Sequence, residues 1–186
     1  MTILKRIFFP FSEMDAIIPK SGVIIDLGCA EGIFTRYLAL ASPGRICYGI
    51  DLDGIRMRFG ADQRFPAQIK LIQGDVLTAQ FPSCTGVVAA DFLHHIPYKQ
   101  QELVLKKTYR ALTSGGIFLL KDVDKQGGIR HLLSRFWDFV FYPNDTIYYR
   151  SIPEWKKALE KEGFSVRVKK TAFWSPFSTV LYTAQK

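Results

Sequence analysis

The chain has 186 residues, 48% of them hydrophobic and 23% charged, enough for one complete apolar core and too apolar for a disordered segment. No apolar run approaches the ~18 residues that a membrane-spanning helix needs. Lys and Arg outnumber Asp and Glu by 25 to 17, a net charge of +8, which leaves nucleic acid, an anionic membrane surface or an anionic substrate open as partners.

At the N-terminus, the basic pair Lys5-Arg6 follows the first apolar residues and no small-residue cleavage site comes after it, so a cytoplasmic chain without a signal peptide is expected. Leu4 to Phe11 mixes aromatics with Lys5 and Arg6, and residues 1–20 are expected to be a covering segment rather than an anchor. Val23-Ile24-Ile25-Asp26-Leu27 is a β-branched run that ends at glycine, the pattern of a buried strand. Helical spacing follows over Glu31 to Leu40. Ile46 to Ile50 reads as a second strand, Ile55 to Gly60 as a short helix, Ile69 to Ile72 as a third strand and Gly86 to Ala90 as a fourth. Tyr98 to Leu112 carries Leu103, Leu105, Tyr109 and Leu112 at helical intervals and is expected to stop at Ser114-Gly115-Gly116. Ile117 to Leu120 makes a fifth strand.

The later chain changes character. Arg130 to Tyr142 is crowded with aromatics and is too short to span a bilayer; it reads as a lid, a membrane-surface helix or a helix packed on the sheet. Pro153 to Glu162 is a helix stopped by Gly163, and Phe164 to Val168 alternates strictly. Ser178 to Thr183 is a further strand, reached through a loop holding Trp174 and Pro176. Strands alternating with helices imply an α/β domain with a parallel sheet, and the two late strands an antiparallel hairpin on its edge. The expectation is one domain over 1–186, seven strands, mostly parallel, helices on both faces, the last strand antiparallel.

Four strand ends carry the chemistry. Asp26-Leu27-Gly28-Cys29-Ala30-Glu31-Gly32 joins the first strand to a helix; Gly28 permits a tight turn and Gly32 lets backbone approach a ligand. The dinucleotide fingerprint fails here, because Ala30 and Ile33 stand where it needs glycine. Asp51 ends the second strand nineteen positions beyond Gly32, where a carboxylate accepts the hydroxyl protons of a ribose. Asp75, in Gln73-Gly74-Asp75-Val76, is placed for an exocyclic amine and Val76 for an adenine face. Asp91-Phe92-Leu93-His94-His95 follows the fourth strand. In an open parallel sheet, ligands sit beyond the carboxyl ends of strands, so the four carboxylates are expected on one rim. Cys29, Cys47 and Cys84 match no metal, redox or disulfide spacing and are expected as small buried residues.

In this order of motifs the chain resembles the class I S-adenosylmethionine-dependent methyltransferases, over roughly residues 20 to 186. The resemblance implies a Rossmann-like sheet with a final antiparallel hairpin and S-adenosyl-L-methionine as cofactor. It implies that Asp26, Gly28, Cys29, Ala30 and Gly32 surround the methionine part, and that Asp51 holds the ribose with Leu52 beside the adenine. Asp75 and Val76 would then hold the adenine, and Asp91 and Phe92 border the methionine end and the acceptor pocket. Ala30 departs mildly from the family's glycine. His94 and His95 are the candidate catalytic bases, and residues 126–150 an acceptor-side insertion. The expected activity is methyl transfer to a small-molecule or lipid-like acceptor, with peripheral membrane contact open. Alternatives are an RNA methyltransferase, for which Asp91-Phe92-Leu93-His94 lacks the Asn/Asp-Pro-Pro-aromatic motif, and an inactive cofactor-binding partner protein. A nicotinamide oxidoreductase is disfavoured by the glycine spacing.

Overall fold

The computed structural model describes residues 8–61, 67–141, 143, 145–170 and 175–186. Its elements are α1 (Phe11–Ile17), β1 (Ser21–Leu27), α2 (Ile33–Ala41), β2 (Gly44–Asp51), α3 (Gly54–Ala61), β3 (Ile69–Gln73) and β4 (Cys84–Ala90). A 3-10 turn (Leu93–His95) leads to α4 (Tyr98–Ala111), β5 (Leu112–Val123), α5 (Ile129–Phe141), α6 (Ile152–Lys161), β6 (Ser165–Lys170) and β7 (Thr179–Gln185). The strands form one sheet in the order β3-β2-β1-β4-β5-β7-β6. β1 to β5 run parallel, and only β7 is reversed, pairing antiparallel with both β5 and β6. The expected seven-stranded, mostly parallel sheet with one reversed strand is what the chain builds.

One detail refines the sequence reading and one differs from it. The hairpin joins the sheet through its second strand, so β6 is the outer edge; it exposes Arg167, Lys169 and Lys170, charges that discourage edge-to-edge pairing. α4 ends at Ala111 rather than beyond it, because Leu112 is already extended (φ −67°, ψ 137°). Ser114-Gly115-Gly116 lies inside β5, where the register against β4 shifts and Gly115 takes φ 74°.

Adjacent strand residues serve opposite faces, as a period of two demands. Ile25, Val87, Leu120 and Tyr182 join a core closed by Val104 and Leu105 of α4 and Trp155 and Leu159 of α6. Ile24, Val88, Leu119 and Leu181 join a second core closed by Met14 of α1 and by Phe34 and Leu38 of α2. The second core also holds a fully buried cation. Arg45 at the start of β2 donates to the carboxylate of Asp15 (2.5 Å) and to the carbonyls of Pro19, Leu38 and Ile18 (2.7, 2.8 and 3.0 Å). It ties the end of α1 to the sheet. α5 belongs to neither core.

Candidate active site

The sheet order reverses direction between β1 and β4, the point at which open parallel sheets bind ligands. A cavity of about 700 Å³ opens there, lined by Asp26, Gly28, Cys29, Ala30 and Glu31 from β1 and its loop, and by Asp51, Leu52, Asp53 and Arg56 beyond β2. Ala90, Asp91, Phe92 and His95 line it beyond β4, with Phe9, Ile33, Phe34, Phe141 and Asp145 completing the wall. Its volume lies within the ~300–1,000 Å³ of small-molecule and cofactor sites.

The β1 loop owes its path to alternate left-handed residues, Gly28 (φ 70°), Ala30 (φ 50°) and Gly32 (φ 69°). At Gly28 the conformation is inseparable from the site, because a Cβ would fall within the Phe92 ring. The N–H groups of Gly28 and Cys29 donate to the Ile50 carbonyl (2.8 and 3.2 Å), strapping the loop to β2. Asp51 completes the strap: its Oδ2 accepts from the Ala30 N–H (2.7 Å) and its Oδ1 from the Asp53 N–H (2.8 Å). A carboxylate has about four lone-pair positions, so both oxygens keep capacity for a ligand.

Asp26 is buried, and Oδ2 accepts the Thr35 hydroxyl hydrogen bond (2.6 Å). Burial, reinforced by the nearby Asp51 charge and opposed by Thr35, pushes its carboxyl up to about 7. Burial also raises the Cys29 thiol, which stays protonated. Asp91 sits at φ 51°, tolerable for a short acidic residue, and both its oxygens accept from the Lys121 ammonium at 2.6 Å. Lys121 in turn lies 5.2 Å over the Phe9 ring.

A second, small cavity of about 30 Å³ shares Asp91 with the large one and is lined by Lys121, His94, Ser134, Trp137 and Asp138 among others. His94 is fully buried, and its Nδ1 pairs with Oδ1 of Asp122. Among the described residues its Nε2 makes no hydrogen bond; it lies 3.7 Å from Oδ2 of Asp138, which accepts the Tyr149 hydroxyl at 2.6 Å. Burial alone would lower the His94 pKa, but the carboxylates of Asp122, Asp138 and Asp91 together hold it above the ordinary histidine value. His95 faces Asp145 across 3.2 Å. The turn bearing both histidines is fixed by the buried Gln101, whose amide nitrogen lies 3.1, 2.9 and 3.0 Å from the carbonyls of Leu93, Ile96 and Tyr148. His94, His95 and Asp138 bring ligand-type atoms within 4.8 Å of one another. Within that group Asp138 is held by Tyr149, and His95 faces Asp145.

Of the residues expected from sequence, Asp26, Gly28, Cys29, Ala30, Asp51, Leu52, Asp91, Phe92 and His95 come together on the large cavity. His94 lines the adjoining one. Gly32 shapes the bend from behind as the cap of α2. Asp75 and Val76 lie off both walls: Asp75 Oδ1 accepts the Leu77 N–H (2.9 Å) in a turn, and Val76 is buried in the core. Of the N-terminal segment, Phe8 lines the small cavity and Phe9 the large one, while Leu4 to Ile7 lie outside the described residues, as does Trp174. Lys121 and Asp122 escaped the sequence reading because the fifth strand was ended at Leu120; they are the same signal, charge at a strand's carboxyl end. Asp138 was hidden among aromatics, although Ser134 and Asp138, four apart, mark a narrow polar face.

The profile of the family described as "Methyltransferase domain" matches residues 4–168. A protein of Bacillus thuringiensis (strain Al Hakam), named as an uncharacterized methyltransferase, is 25% identical over 179 residues, covering 87% of this chain and 79% of its own. Among solved structures, an S-adenosylmethionine dependent methyltransferase from Mesorhizobium loti superposes with a TM-score of 0.78 at 16% identity, covering 94% of this chain and 96% of that one. Human N-acetylserotonin methyltransferase, in complex with its methyl donor, superposes with a TM-score of 0.74 at 19% identity, covering 99% of this chain and 52% of that one.

Proposed function

The chain belongs to the methyltransferase-domain family, and from that premise we propose that it moves a methyl group from S-adenosyl-L-methionine to a small-molecule or lipid-like acceptor. The observation that carries the reading is one cavity at the sheet's reversal point walled together by Asp26, Asp51 and Asp91, with the Gly28 bend beside them.

These residues suit the cofactor. A side chain at position 28 would collide with the Phe92 ring, so the bend lining the cavity requires glycine, and the acidic wall suits a ligand carrying an ammonium and a sulfonium. Asp51 would hold the ribose hydroxyls with the lone pairs left by Ala30 and Asp53, and the exposed Leu52 would lie against the adenine. Asp26, Cys29 and Ala30 would surround the amino-acid end, with Asp91 and Phe92 at the boundary of the acceptor space. The cofactor brings an already activated methyl group on a sulfonium. What remains for the protein is to align the acceptor and exclude water; the aromatic wall of Phe9, Phe34, Phe92 and Phe141 supports that.

Where the acceptor must lose a proton, His94 takes it. Asp122 fixes Nδ1 as the protonated nitrogen and leaves Nε2, 3.7 Å from Oδ2 of Asp138, as the acceptor. His95, on the larger cavity beside Asp145, orients the same group. The test is incubation of the protein with methyl-labelled cofactor and cell extract, followed by fractionation. Label in small metabolites or lipids supports the reading. Label confined to RNA replaces it, and cofactor binding with no label in any fraction points to a partner protein without turnover.

A further inference from the structure

α5 is folded inside out. Its polar residues Ser134 and Asp138 are each 3% exposed, while Phe136 and Phe139 are 58% and 66% exposed. Ile129, Leu132, Leu133 and Val140 are exposed with them, and the spacing of these six at three and four residues makes one continuous apolar stripe. A contiguous apolar patch of this kind marks an interaction surface. The helix is held by its polar side: Asp138 accepts from Tyr149, and the Ser134 hydroxyl oxygen accepts from the Ser178 N–H (3.3 Å).

We infer that the outer face of α5 docks on an anionic membrane surface, from which a lipid-like acceptor enters the site; the inference rests on the lipid-like acceptor of the proposed function. Thirteen residues at 1.5 Å make a helix of about 20 Å, suited to lying in the interface, and no described helix is long and apolar enough to cross a membrane. The charge fits an anionic surface. The chain carries +8, Arg130 and Arg135 flank the stripe, Lys125 precedes it, and the helix's one acid, Asp138, is turned inward. That cationic rim also disfavours two copies meeting face to face. A cleft of about 440 Å³ beside the stripe is lined by Lys125, Arg135 and Phe139, and by Asp145, which also lines the cofactor cavity. The cleft that would receive a headgroup therefore shares a wall residue with the cavity of the reaction centre.

The test is co-sedimentation with vesicles of phosphatidylcholine alone and with added phosphatidylglycerol, using the whole chain and the double variant Leu132→Ser/Phe136→Ser. The wild type is expected to bind the phosphatidylglycerol vesicles, to bind less as salt rises, and to lose more than about tenfold in lipid affinity in the variant. Calorimetry with S-adenosylmethionine should be unchanged by the variant. Absence of vesicle binding overturns the inference, as does equal binding by wild type and variant. So does a wild-type dimer in light scattering that the variant converts to monomer, which would assign the stripe to a second copy. If calorimetry shows no cofactor binding by the wild type, the proposed function fails whatever the vesicles show. Intact cofactor binding without vesicle binding sinks only the membrane surface.

Discussion

Replacing Asp51 by alanine isolates the part of the cavity that recognises a nucleoside. In the free protein each oxygen of this carboxylate already accepts one backbone N–H, from Ala30 at 2.7 Å and from Asp53 at 2.8 Å. About two lone-pair positions remain, enough for the two vicinal hydroxyls of a ribose. A hydrogen bond to a charged group contributes roughly 1.5–3 kcal/mol net. Water entering the vacated space offsets part of this, and loosening of the Ala30 bend adds to the loss. Asp51→Ala should therefore weaken cofactor binding by more than ~1.4 kcal/mol, about tenfold. Titration calorimetry should record the same factor for S-adenosylmethionine and for its demethylated product, because both present the same ribose. Thermal melting should show that the variant is folded. Unchanged affinity for both ligands in a folded variant would refute the ribose assignment. Loss for one ligand only would place the carboxylate at the wrong end of the cavity.

Other perturbations probe different parts of the account. His94→Gln should lower the initial rate of labelling of extract by ~10²- to 10⁴-fold with cofactor affinity intact, the usual contribution of a general base; an unchanged rate would remove His94 from the chemistry. Wild-type turnover should rise with pH through a value above 6.5, since Nε2 must be unprotonated and the carboxylates hold its pKa up. Asp122→Asn should move that rise to lower pH. For the same reason the folded-state charge on His94 contributes stability that is complete below about 6.5 and is lost as pH climbs through the higher folded value. The Asp26 carboxyl, raised to about 7 mainly by burial, should release a proton when a cationic ligand binds beside it. Calorimetry near neutral pH in buffers of different ionisation enthalpy should detect this release, with affinity rising from about pH 5.5 to 7.5, and Asp26→Asn should abolish it. Arg45→Leu leaves Lys20 as the only cation on the Asp15 carboxylate among the described residues and strands the carbonyls of Ile18 and Leu38, and should lower unfolding stability by ~2–5 kcal/mol in urea; a loss below about 1 kcal/mol would contradict the anchoring role.

The sheet was legible because each strand is either a β-branched run or a strict alternation closed by glycine, proline or a carboxylate. Asp26, Asp51 and Asp91 were legible for the same reason, since a charge at a buried strand's end must face the rim. The reading weakened where local chemistry had two outlets. Asp75 accepts from Leu77 in a turn and lies off the cavity wall, and nothing in Gln73-Gly74-Asp75-Val76 distinguishes that from a carboxylate on the wall. Ser114-Gly115-Gly116 reads as a helix stop, yet the left-handed Gly115 serves equally as a bulge within β5. Tertiary pairing decided between them. α5 was ambiguous for a deeper reason: periodicity gives a helix an apolar face but not the direction in which that face points. Here the buried needs of Asp138, Tyr149 and His94 turned the polar side inward. Arg45 and Gln101 left no trace in the sequence, because their partners are mostly backbone carbonyls supplied by distant segments.

The most direct test of the central claim is a crystal structure of the chain grown with S-adenosylhomocysteine. Density should fill the cavity between Asp26, Asp51 and Asp91, with the ribose hydroxyls on Asp51 and the amino-acid end beside the Gly28 bend. A cavity empty of ligand at saturating concentration, or density bound elsewhere on the molecule, would contradict it.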